Sequence, residues 1–207
     1  MKILHIVSSP RGDRSVTQKI ASGFIDALKV NHPSAEVDEL DVWETELLPF
    51  DGPALNAKYA DLTGQEMTSD QKAVWEQISE LGERFHRADL IMFSVPMWNF
   101  GIPYRLKHLI DVVSQRGILF SFDADGMKGL LSGKKVFVAA ARGVALGDDY
   151  PREDYDHQIA YLRTWSKMVG IYDFQTVLNE MTLGGPEVQK ANLEQAMREA
   201  QSIAENI

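Results

Sequence analysis

The chain contains no cysteine among its 207 residues, which excludes a disulfide framework, a thiolate nucleophile and any cysteine-ligated zinc or iron–sulfur centre. A reducing, cytoplasmic setting is the expectation that follows. Positive charge is in short supply: 21 Lys and Arg stand against 30 Asp and Glu, a net charge of −9, and no segment gathers basic residues into the face that nucleic-acid phosphates require. No apolar run comes near the roughly 18 residues needed to span a bilayer, and Ile3 to Val7 is too short for a signal-peptide core. Neither nucleic acid nor a membrane is therefore expected as a partner. Two nucleotide signatures are missing as well, GxGxxG and GxxxxGK[ST], so neither a dinucleotide pyrophosphate loop nor a nucleoside-triphosphate loop is expected.

What is present is an ordinary globular composition, 44% apolar and 25% charged, in a length that one α/β core accommodates, so one domain over residues 1–207 is expected. Lys2 to Ser8 (KILHIVS) reads as a buried strand followed by the polar loop Ser9 to Ser15. Behind it Val16, Ile20, Phe24 and Leu28 recur at intervals of four and stripe a helix that ends before Asn31-His32-Pro33. Glu36 to Val42 is a weaker strand. Leu47 to Glu66, interrupted by prolines and glycines, reads as a long excursion with room for one helical turn. Thr68 and Gln71 have capping-box spacing ahead of Val74, Ile78, Leu81 and Phe85. Leu90 to Val95 is a nearly unbroken apolar run, as a parallel strand covered on both faces requires. A helix over Tyr104 to Gln115, a strand over Lys134 to Ala141, a helix over His157 to Val169, a strand over Ile171 to Leu178 and a final helix from Glu187 complete the alternation. Strands alternating with helices imply an α/β, doubly wound parallel sheet.

In such a sheet ligands bind beyond the carboxyl ends of the strands, which singles out the loops after Ser8, Val95 and Ala141. The first offers the hydroxyls of Ser9, Ser15 and Thr17, the free N–H groups of a helix start and the cations Arg11 and Arg14. These are the elements of an anion site. The net charge of −9 weighs less than these neighbours, because charges beyond about 8 Å are largely screened. The same residues also serve a plain helix cap with solvated arginines. The second loop, Pro96-Met97-Trp98-Asn99-Phe100-Gly101-Ile102-Pro103, places large apolar side chains between two prolines. Its stiff backbone and rings suit a planar heteroaromatic such as a flavin, or a loop folded into the core. The third, Ala141-Arg142-Gly143-Val144, joins an arginine to a glycine that permits close approach. Arg142 fits either a positive charge beside a reduced cofactor ring or a surface salt bridge.

These segments resemble the FMN-dependent NADH-azoreductase family, relatives of the NAD(P)H:quinone reductases. The resemblance rests on Ser8-Ser9-Pro10-Arg11 through Ser15-Val16-Thr17, on Pro96 to Pro103 with Leu106-Lys107 and Asp111, and on Arg142-Gly143. It implies a flavodoxin-like five-stranded sheet of order 2-1-3-4-5 with helices on both faces. It also implies an FMN phosphate held by Ser9, Arg11, Ser15, Val16 and Thr17, and an isoalloxazine contacted by Pro96, Met97, Trp98, Asn99, Phe100 and Gly101. Ala141, Arg142, Gly143 and Val144 would close its far side. The implied activity is a ping-pong, two-electron reduction of quinones and azo compounds with NADH or NADPH as donor, in a homodimer whose active site lies at the subunit interface. In that picture Phe120 and Phe122, in an otherwise loop-like stretch, reach the partner's flavin and Trp165 lines the substrate pocket, while no side chain serves as nucleophile or general acid. Trp98 stands where the family often has Tyr, and Ala141 and Val144 where it often has a hydroxyl residue and a second glycine. The alternatives are a flavodoxin-like electron carrier and a free-flavin or chromate-type reductase.

Among the remaining candidates, His5 and His108 read as packed structural side chains. The acidic stretch Asp148 to Asp156 lacks the spacing of a calcium loop, so no metal is expected and a mobile, solvated flap over the active site is.

Overall fold

The computed structural model describes residues 1–207 throughout. β1 (Lys2–Val7) leads through a single 3-10 turn to α1 (Val16–Asn31), then β2 (Glu36–Asp41), α2 (Gly52–Thr63), α3 (Ser69–Arg87), β3 (Leu90–Pro96) and α4 (Tyr104–Val113). A hairpin of β4 (Phe120–Asp123) and β5 (Gly126–Gly129) precedes β6 (Lys135–Ala141), α5 (Arg152–Tyr155), α6 (Ile159–Met168), β7 (Asp173–Asn179) and α7 (Pro186–Ala204). Five strands form one parallel sheet in the order β2-β1-β3-β6-β7. This is the expected 2-1-3-4-5 arrangement, with the separate antiparallel β4–β5 pair inserted along the chain before its fourth strand.

Both faces are covered. On one side Ile20, Phe24 and Leu28 of α1 and Ala196 and Ala200 of α7 pack on Ile3, Met92 and Phe137, with the Phe24 and Phe137 rings stacked at 3.9 Å. On the other, Ile78 and Phe85 of α3, Leu106 and Leu109 of α4 and Leu162 and Trp165 of α6 pack on Leu4, Phe93 and Val138. Burial on two faces is why β3 and β6 are unbroken apolar runs rather than alternating ones.

Two expectations are corrected. The excursion after Leu47 holds a twelve-residue helix, α2, entered with a proline in its first turn and closed by Gly64 in the left-handed conformation (φ 66°). Its buried stripe is Ala54, Ala57 and Ala60, and methyl groups give too weak an apolar signal for the periodicity to be read. The stretch around Phe120, expected as loop, is the β4–β5 hairpin, which turns at Gly126 with φ 106°. Thr68 and Gln71 do form the reciprocal capping box of α3.

Candidate functional site

The strand register brings the three loops to one edge. Val7 lies opposite Ser94, and Pro96 opposite Ala141. The Ser8 N–H and hydroxyl both donate to the Ser94 carbonyl, at 3.1 and 2.8 Å, and the Met97 N–H donates to the Ala141 carbonyl at 2.7 Å.

At the first loop Ser15 is the N-cap of α1: its hydroxyl oxygen accepts from the Gln18 N–H at 3.3 Å and lies 3.0 Å from the Thr17 hydroxyl. Ser9, Ser15 and Thr17 are buried, while Arg11 and Arg14 are exposed. The N–H groups of Val16 and Thr17 fall in the first helical turn and have no intrahelical carbonyl to receive them, the Gly12 carbonyl accepting from the Ser15 N–H instead. Beneath this turn, His5 Nε2 and the Ser94 hydroxyl are 2.8 Å apart, and the Ser94 hydroxyl donates to the Thr17 carbonyl at 3.4 Å. Burial pushes the His5 pKa down to about 4, so the ring stays neutral and packed, as expected.

The second loop is a tight turn in which Trp98 and Gly101 exchange two backbone hydrogen bonds, 3.0 and 2.9 Å. The two residues between them, Asn99 and Phe100, both have positive φ, 48° and 66°. Asn tolerates that region; a phenylalanine there carries strain that surrounding contacts must hold, a pattern concentrated at ligand sites. Trp98 stays 37% exposed and groups with two neighbours that sequence reasoning did not connect to it. These are Trp43, whose indole N–H donates to the Ser8 carbonyl at 3.1 Å, and Tyr104 at the start of α4. No sequence signal links Trp43 to Trp98, because the contact spans three elements.

At the third loop Arg142 is not the surface salt-bridge arginine that was one of its two expected roles. Its side chain is fully buried and faces neither solvent nor open space. Nε donates to Gln158 Oε1 at 3.1 Å, Nη1 to Glu180 Oε1 at 3.2 Å and Nη2 to Asp156 Oδ2 at 2.6 Å. Gly143 does admit a close approach, by the Leu183 side chain, which a Cβ would meet at 2.9 Å. Ala141 is buried and Val144 half-buried. The acidic stretch is not a free flap either. Tyr150 and Tyr155 pack on Phe100, with centroids at 5.9 and 4.9 Å, and the His157 N–H donates to the Phe100 carbonyl at 3.1 Å.

Alongside the turn opens a cleft of about 980 Å³ bordered by Trp98, Asn99, Gly101, Tyr104, His157 and Tyr161. Lys107 pairs with Asp111 one turn along α4. Burial, and after it the Asp111 carboxylate, pushes the Tyr161 pKa up to about 12, so its hydroxyl keeps its proton as a hydrogen-bond donor. A neighbouring cavity of about 530 Å³ is lined by Phe120, Tyr161 and one edge of Trp165. Trp165 is otherwise core: it packs edge-on to Phe85 and Phe93 and its indole N–H donates to the Ser114 hydroxyl at 3.0 Å. Phe122 lines neither cavity and is 56% exposed on the hairpin.

The donor set fits a phosphomonoester joined to a flat ring. Hydroxyls, unpaired N–H groups and two arginines gather at the helix start, and the strained, aromatic-bearing turn follows the neighbouring strand, β3, at the same edge. No group of His, Asp and Glu side chains has the arrangement of a metal site. No helix is long and apolar enough to cross a membrane.

Comparisons with known proteins agree with this geometry. The family described as having a flavodoxin-like fold matches residues 1–204. An "FMN-dependent NADH:quinone oxidoreductase 2" from Pseudomonas syringae pv. tomato is 64% identical over 204 residues, 99% of this chain and 98% of the relative. Among solved structures, an azoreductase from Bacillus anthracis str. Sterne superposes with a TM-score of 0.89 at 25% identity, covering 100% of both chains. An FMN-dependent NADH-azoreductase from Bacillus anthracis str. Ames Ancestor, determined in complex with FMN, superposes with a TM-score of 0.84 at 26% identity, covering 98% of this chain and 99% of that one.

Proposed function

Because this chain belongs to the flavodoxin-like fold family and to the FMN-dependent NADH:quinone oxidoreductases within it, we propose that it reduces quinones and azo compounds by two electrons with NADH as donor. The observation that carries the reading is the convergence of three loops, the α1 N-terminus, the strained Trp98–Gly101 turn and the Ala141–Val144 segment, at one edge of the sheet, with a large cleft beside the turn.

FMN, when bound, supplies the hydride chemistry, taking two electrons from the nicotinamide and giving them to the acceptor. The chain supplies position and electrostatics. Ser9, Ser15 and Thr17 hydroxyls with the Val16 and Thr17 N–H groups would hold the phosphate, and the positive end of the α1 dipole and Arg11 would favour its charge. The backbone of Pro96 to Gly101 and of Ala141 to Val144 would hold the ring system. Phe100 and its tyrosine neighbours keep water from one side of the turn, and Trp98 offers a partly exposed face on which an aromatic acceptor stacks. The neutral Tyr161 hydroxyl donates to an acceptor oxygen or nitrogen in the cleft.

Two exposed aromatics, Tyr104 at 65% on the cleft and Phe122 at 56% on the hairpin, support a homodimer in which a second copy covers them and completes the pocket. Phe120 and Trp165 then wall its inner end. The whole chain acts as one FMN-binding domain, and its cysteine-free composition agrees with a cytoplasmic setting.

Steady-state kinetics test the reading: NADH oxidation with a naphthoquinone gives parallel double-reciprocal lines. An electron carrier would give no turnover with NADH and quinone, and a free-flavin or chromate reductase would saturate with added FMN or chromate in place of the quinone.

A further inference from the structure

Two of the three side-chain arms of Arg142 lead toward the strained turn. Asp156 and Gln158, the residues on either side of His157, are both bound by its guanidinium, at 2.6 and 3.1 Å. Each is fixed a second time: Asp156 Oδ1 accepts from the Ile159 N–H at 2.9 Å, and Gln158 Nε2 donates to the Val95 carbonyl at the end of β3 at 2.9 Å. With both neighbours held, the His157 N–H, shared with the Tyr155 carbonyl, reaches the carbonyl of Phe100, the residue kept at φ 66°. The third arm reaches Glu180 beyond β7, whose carboxylate also accepts from the Leu146 N–H and from Arg152. One buried cation therefore pins residues 146–158 as a strap at both ends, and the strap holds Phe100.

We propose that Arg142 is a positioning residue for FMN retention, acting through Asp156, Gln158 and the His157–Phe100 hydrogen bond to keep the Asn99–Phe100 turn in its left-handed conformation. The inference rests on the functional reading above and deepens it. A left-handed phenylalanine relaxes toward the extended region once its carbonyl is released, and relaxation moves the backbone groups that face the ring. A planar fork is needed to hold Gln158, Glu180 and Asp156 at once; a lysine in its place reaches one or two of them with a point charge and leaves the third unpaired.

The test uses the FMN-loaded protein as purified and follows the dissociation rate of FMN by the rise in flavin fluorescence, together with trypsin cleavage at Arg152 in the strap. Arg142→Lys and Gln158→Leu are compared with Thr68→Ala, which weakens the remote cap of α3. Arg142→Lys and Gln158→Leu are expected to release FMN about tenfold faster and to be cut sooner, with Thr68→Ala matching the wild type. Should Arg142→Lys not fold, Gln158→Leu decides alone, since it removes one arm and leaves the ion pairs. A folded variant of either kind that releases FMN at the wild-type rate overturns the proposal while leaving the function standing. A wild-type protein that carries no FMN sinks the functional reading and this inference with it.

Discussion

The loop after β1 and the loop after β6 face the same edge of the sheet and are built in opposite ways. At the first, Ser15, Thr17 and Gln18 complete their hydrogen bonds with one another, within three residues. The polar groups left over, two helix-start N–H groups and the exposed arginines, remain for a guest. At the second, Arg142 spends every arm on partners 14, 16 and 38 positions away and keeps none for a guest. An arginine at a strand-end loop thus holds protein, while a helix cap of ordinary composition leaves its first N–H groups free. The difference is one of distance along the chain, and it decides what each loop does.

Substitutions sharpen the contrast. Arg142→Met has the largest expected effect on stability: it strands Asp156 and part of Glu180 without a buried counter-charge, a loss of about 3 to 5 kcal/mol. Thermal unfolding of the folded variant measures it, and a drop under 1 kcal/mol would mean that the cluster is wetter than its burial indicates. Beneath the first loop, His5 remains neutral down to about pH 4, whereas in the unfolded chain it takes up a proton near its ordinary 6.5. Its contribution is whole above pH 6.5 and is lost as pH falls toward 4, because only the unfolded state binds the proton in that window. The size is at most about 3 kcal/mol. His5→Gln flattens that part of the stability–pH curve; an unchanged slope would place the titrating group elsewhere.

Ser15→Asp is expected to spare the fold, since Asp also caps helices, and to weaken FMN binding by roughly 10- to 100-fold through repulsion of the phosphate. Equal flavin affinity in an equilibrium titration would move the phosphate away from α1. Thr68→Ala breaks only the capping box and costs about 1 kcal/mol of stability, with flavin affinity unchanged.

The same distance rule separates what was legible in the sequence from what was not. The α1 stripe, the Ser15 cap and the Thr68–Gln71 box follow from spacings of a few residues, the sheet order from the family resemblance, and each is found where it was expected. Candidate ligand-facing residues were also visible in strand-end loops, because a doubly wound sheet sends those loops to one edge. The fate of Arg142 was hidden, since nothing local marks Asp156 or Glu180 as its partners. The strap was misjudged for a related reason: a run of acidic residues reads as solvated until Tyr150, Tyr155 and Asp156 are seen to turn inward. α2 escaped notice because alanine lines its buried face, and Trp43 because its partners Trp98 and Tyr104 lie across the sheet edge.

The central claim is that the start of α1 anchors a flavin monophosphate. Denaturing the purified yellow protein and separating the released flavin by chromatography tests it most directly. One FMN per chain is the predicted result; FAD, or a colourless protein that takes up no FMN when it is offered, would contradict it.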